Sequence, residues 1–451
     1  MNKGSWHGER SPDFRGIDDF MTQGALSVIR RVIRKARRTP AQAAVGLLEL
    51  INRRRARKTP SRDAGTVRIL LLHAYGMGGT IRTVLNLAGH LAKDRDVEIV
   101  SLVRTNEDPF FPWPPGVRVR FLDDRTVPRG RFAEFLARRP TRLVPKEEKA
   151  YHTMNLLTDL RLVRFLRSLR GGVLIGTRPS FNLVMSLFAP PEVITVGQEH
   201  VTHESHGPEI QALIKRRYGR LDAFATLTEA DRKAYAKALK ANPPGRLLRI
   251  PNAIPDLAGD VSTLSEKVVV AIGRIVWVKG FDRLVNAWKT VAESHPDWVL
   301  RIYGAGTPER EERLRARIDE AGLSDKVFLM GSTPDIGVEL SKSSIYAVSS
   351  RYEGFGMTIL EAMSKGVPVA SFNCPHGPKE IITDGHDGLL IRSKKAVALG
   401  DGICRLIEDE TLRRQLGANA LQTAANYHMD VIGPRWTAVL DELAGTAPRS
   451  S

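Results

Sequence analysis

The chain has 451 residues, 42% of them hydrophobic and 26% charged, with a formal net charge of +18. That balance suits folded domains, and the length allows two cores of about 150–200 residues each plus extra segments. Two cysteines, Cys374 and Cys404, argue against a disulfide framework or a cysteine zinc site, and no apolar run approaches the roughly 18 residues of a membrane span. The N-terminus lacks the apolar core of a secretory leader, so the expected setting is a reducing cytoplasm.

The first segment stands apart. Residues 1–62 hold 15 Lys/Arg against 5 Asp/Glu. Ala25, Val28, Ile29, Val32, Ile33 and Ala36 fall at helical spacing among Arg30, Arg31, Arg34, Lys35, Arg37 and Arg38. Thr39-Pro40 ends this helix, and a second apolar stretch, Leu47 to Ile51, precedes Arg53, Arg54 and Arg55. The pattern predicts a basic amphipathic N-terminal extension. Residues 20–60 are a candidate contact for an anionic membrane surface, on the inner face of the cell membrane. A helix docked on its own domain and a solvated basic arm are the alternatives. No specific nucleic-acid partner is expected.

From Thr66 the texture becomes that of an α/β domain. Strands are predicted at 67–73, 97–103, 117–122, 173–176, 193–197 and 223–227, with helices at 81–93, 151–169, 180–188, 207–219 and 229–239. The stretch between 104 and 150 reads as long and irregular. A break follows, formed by Asn242-Pro-Pro-Gly245 and the Pro251–Pro255 stretch. A second series then has strands at 267–272, 298–303, 326–330, 345–348, 367–371 and 388–391, and helices that include 308–321 and 357–365. Alternation of this kind argues for parallel sheets. The predicted division is 1–62 extension, 63–248 first domain, 249–428 second domain, and 429–451 a final helix packing back on the first domain. Two such domains facing each other form a cleft, and open α/β sheets bind ligands beyond their strand C-termini.

The richest stretch is Arg351-Tyr-Glu353-Gly354-Phe355-Gly356-Met357, between a strand and a helix. Its glycines permit a tight turn with exposed backbone N–H groups suited to a phosphate. Glu353 on the turn and Glu361 on the helix are placed to accept from sugar hydroxyls. Singly, each carboxylate has an ordinary structural explanation. Gly273-Arg274 to Lys279-Gly280 follows the first strand of the second half, and its cations suit a diphosphate. Gly76 to Arg82 lies at the equivalent place in the first half, with glycine spacing unlike a dinucleotide fingerprint; a plain tight turn explains it equally. After the strand 193–197 comes Gln198-Glu199-His200-Val-Thr-His203-Glu-Ser-His206, where a histidine could orient or deprotonate a sugar hydroxyl. A structural cluster is the alternative. A metal site would need further ligands that no motif supplies.

Glu353 and Glu361, eight positions apart, with Gly273-Arg274 and Lys279-Gly280 upstream, resemble the retaining GT-B glycosyltransferases of family 4. The resemblance covers roughly residues 66–445. Residues 349–391 are similar to members acting on cell-wall and capsular polymers, poly(glycerol phosphate) α-glucosyltransferases among them. It implies a GT-B fold, two Rossmann-like domains across a cleft. It also implies transfer of a sugar from a nucleoside diphosphate sugar, a UDP-sugar foremost, to a hydroxyl of a polyol, glycan or anionic polymer acceptor of the cell envelope. Neither a metal nor another cofactor is implied. Arg274 and Lys279 would hold the diphosphate, Glu361 the ribose and Glu353 the donor sugar. Backbone of Gly354, Phe355, Gly356 and Met357 would bind sugar and phosphate. Gly78 and Gly79 would close over the donor, and His200, with His203 in reserve, would contact sugar and acceptor. A small-molecule, lipid or peptide acceptor, or an epimerase or hydrolase on the same fold, are the alternatives.

Overall fold

The computed structural model describes residues 63–445. The basic extension 1–62, with its candidate membrane contact at 20–60, lies outside the described residues, as does the chain after 445. No helix among the described residues is long and apolar enough to cross a membrane.

The first half runs β1 (Thr66–His73), α1 (Gly79–Leu91), β2 (Asp96–Arg104), β3 (Val117–Asp124), α2 (Arg131–Ala137), α3 (Leu156–Ser168) and β4 (Val173–Gly176). It continues through α4 (Pro179–Phe188), β5 (Ile194–Gln198), α5 (Pro208–Arg217), β6 (Ala223–Thr226), α6 (Glu229–Ala238) and β7 (Leu247–Arg249). The seven strands form one sheet in the order β3-β2-β1-β4-β5-β6-β7, every pair parallel. β2, β4, β5 and β6 are buried almost throughout, as strands of a parallel sheet covered on both faces are.

The second half begins with β8 (Val268–Ile272), α7 (Phe281–Ser294), β9 (Val299–Tyr303), α8 (Pro308–Glu320), β10 (Val327–Gly331), α9 (Ile336–Ser341) and β11 (Ile345–Val348). Then come α10 (Met357–Met363), β12 (Val369–Phe372), α11 (Pro378–Ile381), β13 (Gly388–Ile391), α12 (Ala396–Glu408), α13 (Glu410–Ala425) and α14 (Met429–Leu443). Its six parallel strands are ordered β10-β9-β8-β11-β12-β13. One face is filled by Val285, Trp288, Leu300 and Ile403, the other by Tyr346, Leu360, Met363 and Ala420. In each sheet the strand order reverses beside the first strand, between β1 and β4 and between β8 and β11. Such switch points open a crevice at the strand C-termini. The segments after β1 and β8 are the two glycine-bearing turns singled out in the sequence.

The last helix returns to the first half. Ile432, Trp436 and Leu440 of α14 join the core formed by Ile69, Val84, Leu87 and Ala88. The two crossings of the chain run side by side, with the Ile254 N–H donating to the Tyr427 carbonyl at 2.8 Å. Trp436 is 2% exposed, so Trp436→Ala should cost about 3–5 kcal/mol of stability through the cavity it leaves. Urea unfolding checks this; a loss below about 1 kcal/mol would detach α14 from the core.

Three local expectations need correction. The stretch 104–150 contains α2, whose residues are none of them buried; a helix of two turns is shorter than the window of roughly 11–18 residues over which a period is read. Between the two segments of the expected break lies β7, a three-residue strand at the edge of the sheet that the sequence reading did not include. The helix after the Glu353 turn ends at Met363, with Gly366 in the left-handed region at φ 68° soon after it.

Candidate functional site

The loop after β8 is stitched to the loop after β11. The Ser349 hydroxyl donates to the Lys279 carbonyl at 3.0 Å, and the Arg351 N–H to the Val278 carbonyl at 2.8 Å. Gly280 sits at φ 66°, where an added Cβ would lie 2.3 Å from the Ser349 carbonyl oxygen. Only glycine permits both that conformation and that approach. The stitching delivers Lys279 to Glu353: Nζ donates to Oε1 at 2.7 Å, and the Ser350 hydroxyl donates to the same oxygen at 2.6 Å.

Behind this turn stand His376 and Gly377, with consecutive positive φ angles of 62° and 59°. A Cβ at Gly377 would lie 2.7 Å from the Phe355 carbonyl oxygen. A left-handed conformation at a non-glycine residue carries strain, and here it wedges the Glu353–Gly356 turn into place. The Phe355 side chain is itself core, 4% exposed, so any ligand contact from Phe355 is by its backbone. Gly356 ends the turn at φ 102°, and Met357 opens α10 half-buried.

Glu361 is 6% exposed on α10. Burial pushes its carboxyl up, while Arg82 and Lys279 pull it back. Arg82 belongs to α1 of the first half, and its Nη1 lies 3.3 Å from Glu361 Oε1. The same guanidinium sits over the Phe111 ring, 5.6 Å from its centroid. The halves also meet where Gly354 faces His200: a Cβ at Gly354 would be 3.0 Å from the His200 carbonyl oxygen. Further out, the Glu380 carboxylate accepts from the N–H groups of Glu229 and Ala230 at the start of α6.

On the first half a cavity of about 390 Å³ opens beneath the turn after β1. Gly78, Gly79, Arg178, Glu199, His200 and His206 line it, with Arg274 reaching in from the second half. A Cβ at Gly79 would meet nothing within 4 Å, so the chain's own packing does not demand glycine there. Arg178 pairs with Glu148 at 3.0 Å. Burial lowers the His200 and His206 imidazoles to about 4, which keeps both rings neutral near pH 7.

The structure therefore brings Lys279, Glu353 and Glu361 together on one side, and Gly78, Gly79, His200 and Arg274 around the cavity on the other. His203 goes elsewhere. Its ring packs edge-on against Tyr235 at 4.8 Å, and its backbone N–H donates to the Asp231 carboxylate at 2.8 Å, outside the cavity lining. A 3-10 turn over His203–Ser205 exchanges it for His206, which spacing alone does not reveal. Sequence reasoning also missed Arg82 as the counter-ion of Glu361, and Arg178. Their partners are distant in sequence and leave no local signal. No group of three or more His, Cys, Asp or Glu among the described residues is placed to hold a metal ion.

Residues 260–423 match the family model described as "Glycosyl transferases group 1". An exopolysaccharide phosphotransferase of Streptomyces coelicolor is 34% identical over 84% of this chain, which spans only 41% of that protein's length. A poly(glycerol-phosphate) alpha-glucosyltransferase of Bacillus subtilis is 30% identical over 40% of this chain and 26% of its own. Among solved structures, a variant of S. aureus TarM in complex with fondaparinux, alpha-GlcNAc-glycerol and UDP superposes with a TM-score of 0.64 at 15% identity. That alignment covers 84% of this chain and 100% of the other. The two-sheet architecture is thus the GT-B fold.

Proposed function

From its place among the group 1 glycosyl transferases, we propose that this chain moves a sugar from a nucleoside diphosphate sugar to a hydroxyl of a cell-envelope polymer, with retention of anomeric configuration. The observation that carries the reading is the Lys279–Glu353 pair at 2.7 Å beside the buried Glu361. Glu361 would accept from the ribose, Glu353 would contact the donor sugar, and Lys279 with Arg274 would face the diphosphate. UDP is the nucleotide favoured, because the superposing TarM variant binds UDP. A glycan or polyol phosphate acceptor is favoured by the names of the relatives.

In the proposed reaction the bond from the anomeric carbon to the diphosphate oxygen breaks as the acceptor oxygen bonds to that carbon. The acceptor proton passes to the departing phosphate on the same face. Negative charge growing on the diphosphate is met by Lys279 and Arg274, with no further cofactor. Glu353 Oε1 already accepts from Lys279 and Ser350, which favours a positioning role over nucleophilic attack. Any peripheral membrane placement on the cytoplasmic face would rest on residues 20–60.

NMR of the product tests the stereochemistry: the anomeric configuration of the donor should persist, and inversion would sink the reading. Glu353→Gln should lower kcat about 100-fold, through lost orientation of the sugar and of Lys279. A variant with wild-type kcat would remove Glu353 from the site.

A further inference from the structure

Arg178 lies two residues beyond β4, at the switch point of the first sheet, and is fixed from behind. Its Nε and Nη2 both donate to Glu148 Oε1, at 3.3 and 3.0 Å. Glu148 is 4% exposed, and its other oxygen accepts from the Ala150 N–H at 2.6 Å. Nη1 of Arg178 has no hydrogen-bond partner among the described residues. The side chain keeps 22% of its surface open and lines the cavity. A guanidinium held along its Nε–Nη2 edge cannot turn away, so the remaining nitrogen is a fixed donor.

The charges around Arg178 favour an anion. Lys149 and Arg274 also line the cavity; both are exposed, and neither belongs to an ion pair among the described residues. Two carboxylates, Glu147 and Glu148, stand against these three cations. Glu148 is taken up by Arg178, and Glu147 accepts from the Glu209 N–H at the start of α5 at 3.0 Å. Burial lowers His200 and His206 to about 4 and raises Glu199 to about 8, so near pH 7 these groups offset little of the positive charge.

More positive charge stands behind the wall. Arg125, Arg129 and Arg161 all pair with the single carboxylate of Asp123, and Arg129 alone has a second one in reach, Glu134 at 3.6 Å. Asp123 is in register, through Val103, with the cavity-lining His73 at the end of β1. Burial lowers the His73 imidazole, and the charges of Arg125 and Arg178 lower it further. A cleft lined by one sign of charge concentrates ligands of the other.

We propose that Arg178 and Lys149 bind a phosphate group of the acceptor, so that the sugar passes to a hydroxyl of a phosphorylated polyol or glycan. The site deepens the sugar-transfer reading and rests on it for the word acceptor. Donor diphosphate and acceptor phosphate then have separate cations: Arg274 and Lys279 from the second half, Arg178 and Lys149 from the first. The volume of about 390 Å³ suits a small polar unit between them.

The test is saturation-transfer NMR on the full chain with saturating UDP, using glycerol 1-phosphate and glycerol as probes. UDP fills the donor side, so a phosphate held there by Arg274 and Lys279 is displaced. Glycerol 1-phosphate should still bind, at least about 10-fold more tightly than glycerol, and more weakly as salt rises. Arg178→Lys keeps a cation for Glu148 but loses the planar fork, and should weaken the phosphate probe about 10-fold. Lys149→Gln should weaken it about 3–10-fold, with glycerol unaffected in both variants. Circular dichroism checks the fold of Arg178→Lys, and Lys149→Gln carries the test if that fold is lost. Displacement of the phosphate probe by UDP, equal binding of the two probes, or a wild-type preference in both variants would each overturn the proposal. Phosphate binding through Arg178 in a chain that binds no sugar nucleotide would keep this anion site and remove the sugar-transfer reading.

Discussion

Lys279→Ala should lower kcat/KM for the sugar nucleotide about 10²–10³-fold, the roughly 3–4 kcal/mol that a fixed group facing transition-state charge contributes. Two effects add at this side chain. Lys279 is the close cation of Glu353 and also stabilises the ionised form of Glu361. Its removal therefore withdraws a charge from the diphosphate and loosens the carboxylate that orients the sugar. Arg274 is exposed at the end of β8 and faces the cavity from the second half, so Arg274→Ala should act on the same step without disturbing Glu353. Steady-state kinetics separate them: both variants lose kcat, and Lys279→Ala alone also changes binding of the sugar portion. Near-normal kcat/KM in both would remove the diphosphate role.

Arg82→Ala should destabilise the chain by about 1–3 kcal/mol, below the full cost of breaking a buried pair because Arg82 is partly exposed and Lys279 remains near. The loss should depend on pH with a definite sign. The folded Glu361 carboxyl already lies above its ordinary value, so between the unfolded and folded values the folded state holds more protons. Its contribution to stability falls as pH rises through that window. Removing Arg82 lifts the folded value further and extends the window upward. Urea midpoints should then show a small loss near pH 5 and a larger one near pH 8. An equal loss at both pH values would mean that Arg82 acts through packing on Phe111 and not through Glu361.

How far the sequence reaches is visible in these same residues. Glu353, the two glycines and Glu361 lie within one strand-turn-helix unit, so their placement follows from local pattern. Lys279 could be placed near a strand end, and its contact with Glu353 then follows from β8 and β11 being neighbours at the switch point. Arg82 and Glu361 come from different halves and meet only when the halves close. No periodicity encodes that meeting. His203 and His206 show a finer limit. Both follow β5, and one 3-10 turn decides which ring faces the cavity. α2 and β7 escaped notice because two helical turns and three strand residues carry too little pattern. Strands buried on both faces were the easiest to read, since apolar residues make up most of each run.

Calorimetric titration of UDP-, GDP- and ADP-sugars into the full chain and into its Lys279→Ala variant tests the donor site most directly. One sugar nucleotide should bind the wild-type chain, and its affinity should fall at least about 10-fold in the variant, the effect of about 1.4 kcal/mol or more from one charge-assisted contact. Binding of none of the three, or equal binding by both proteins, would contradict a nucleotide-sugar site built on Lys279, Glu353 and Glu361.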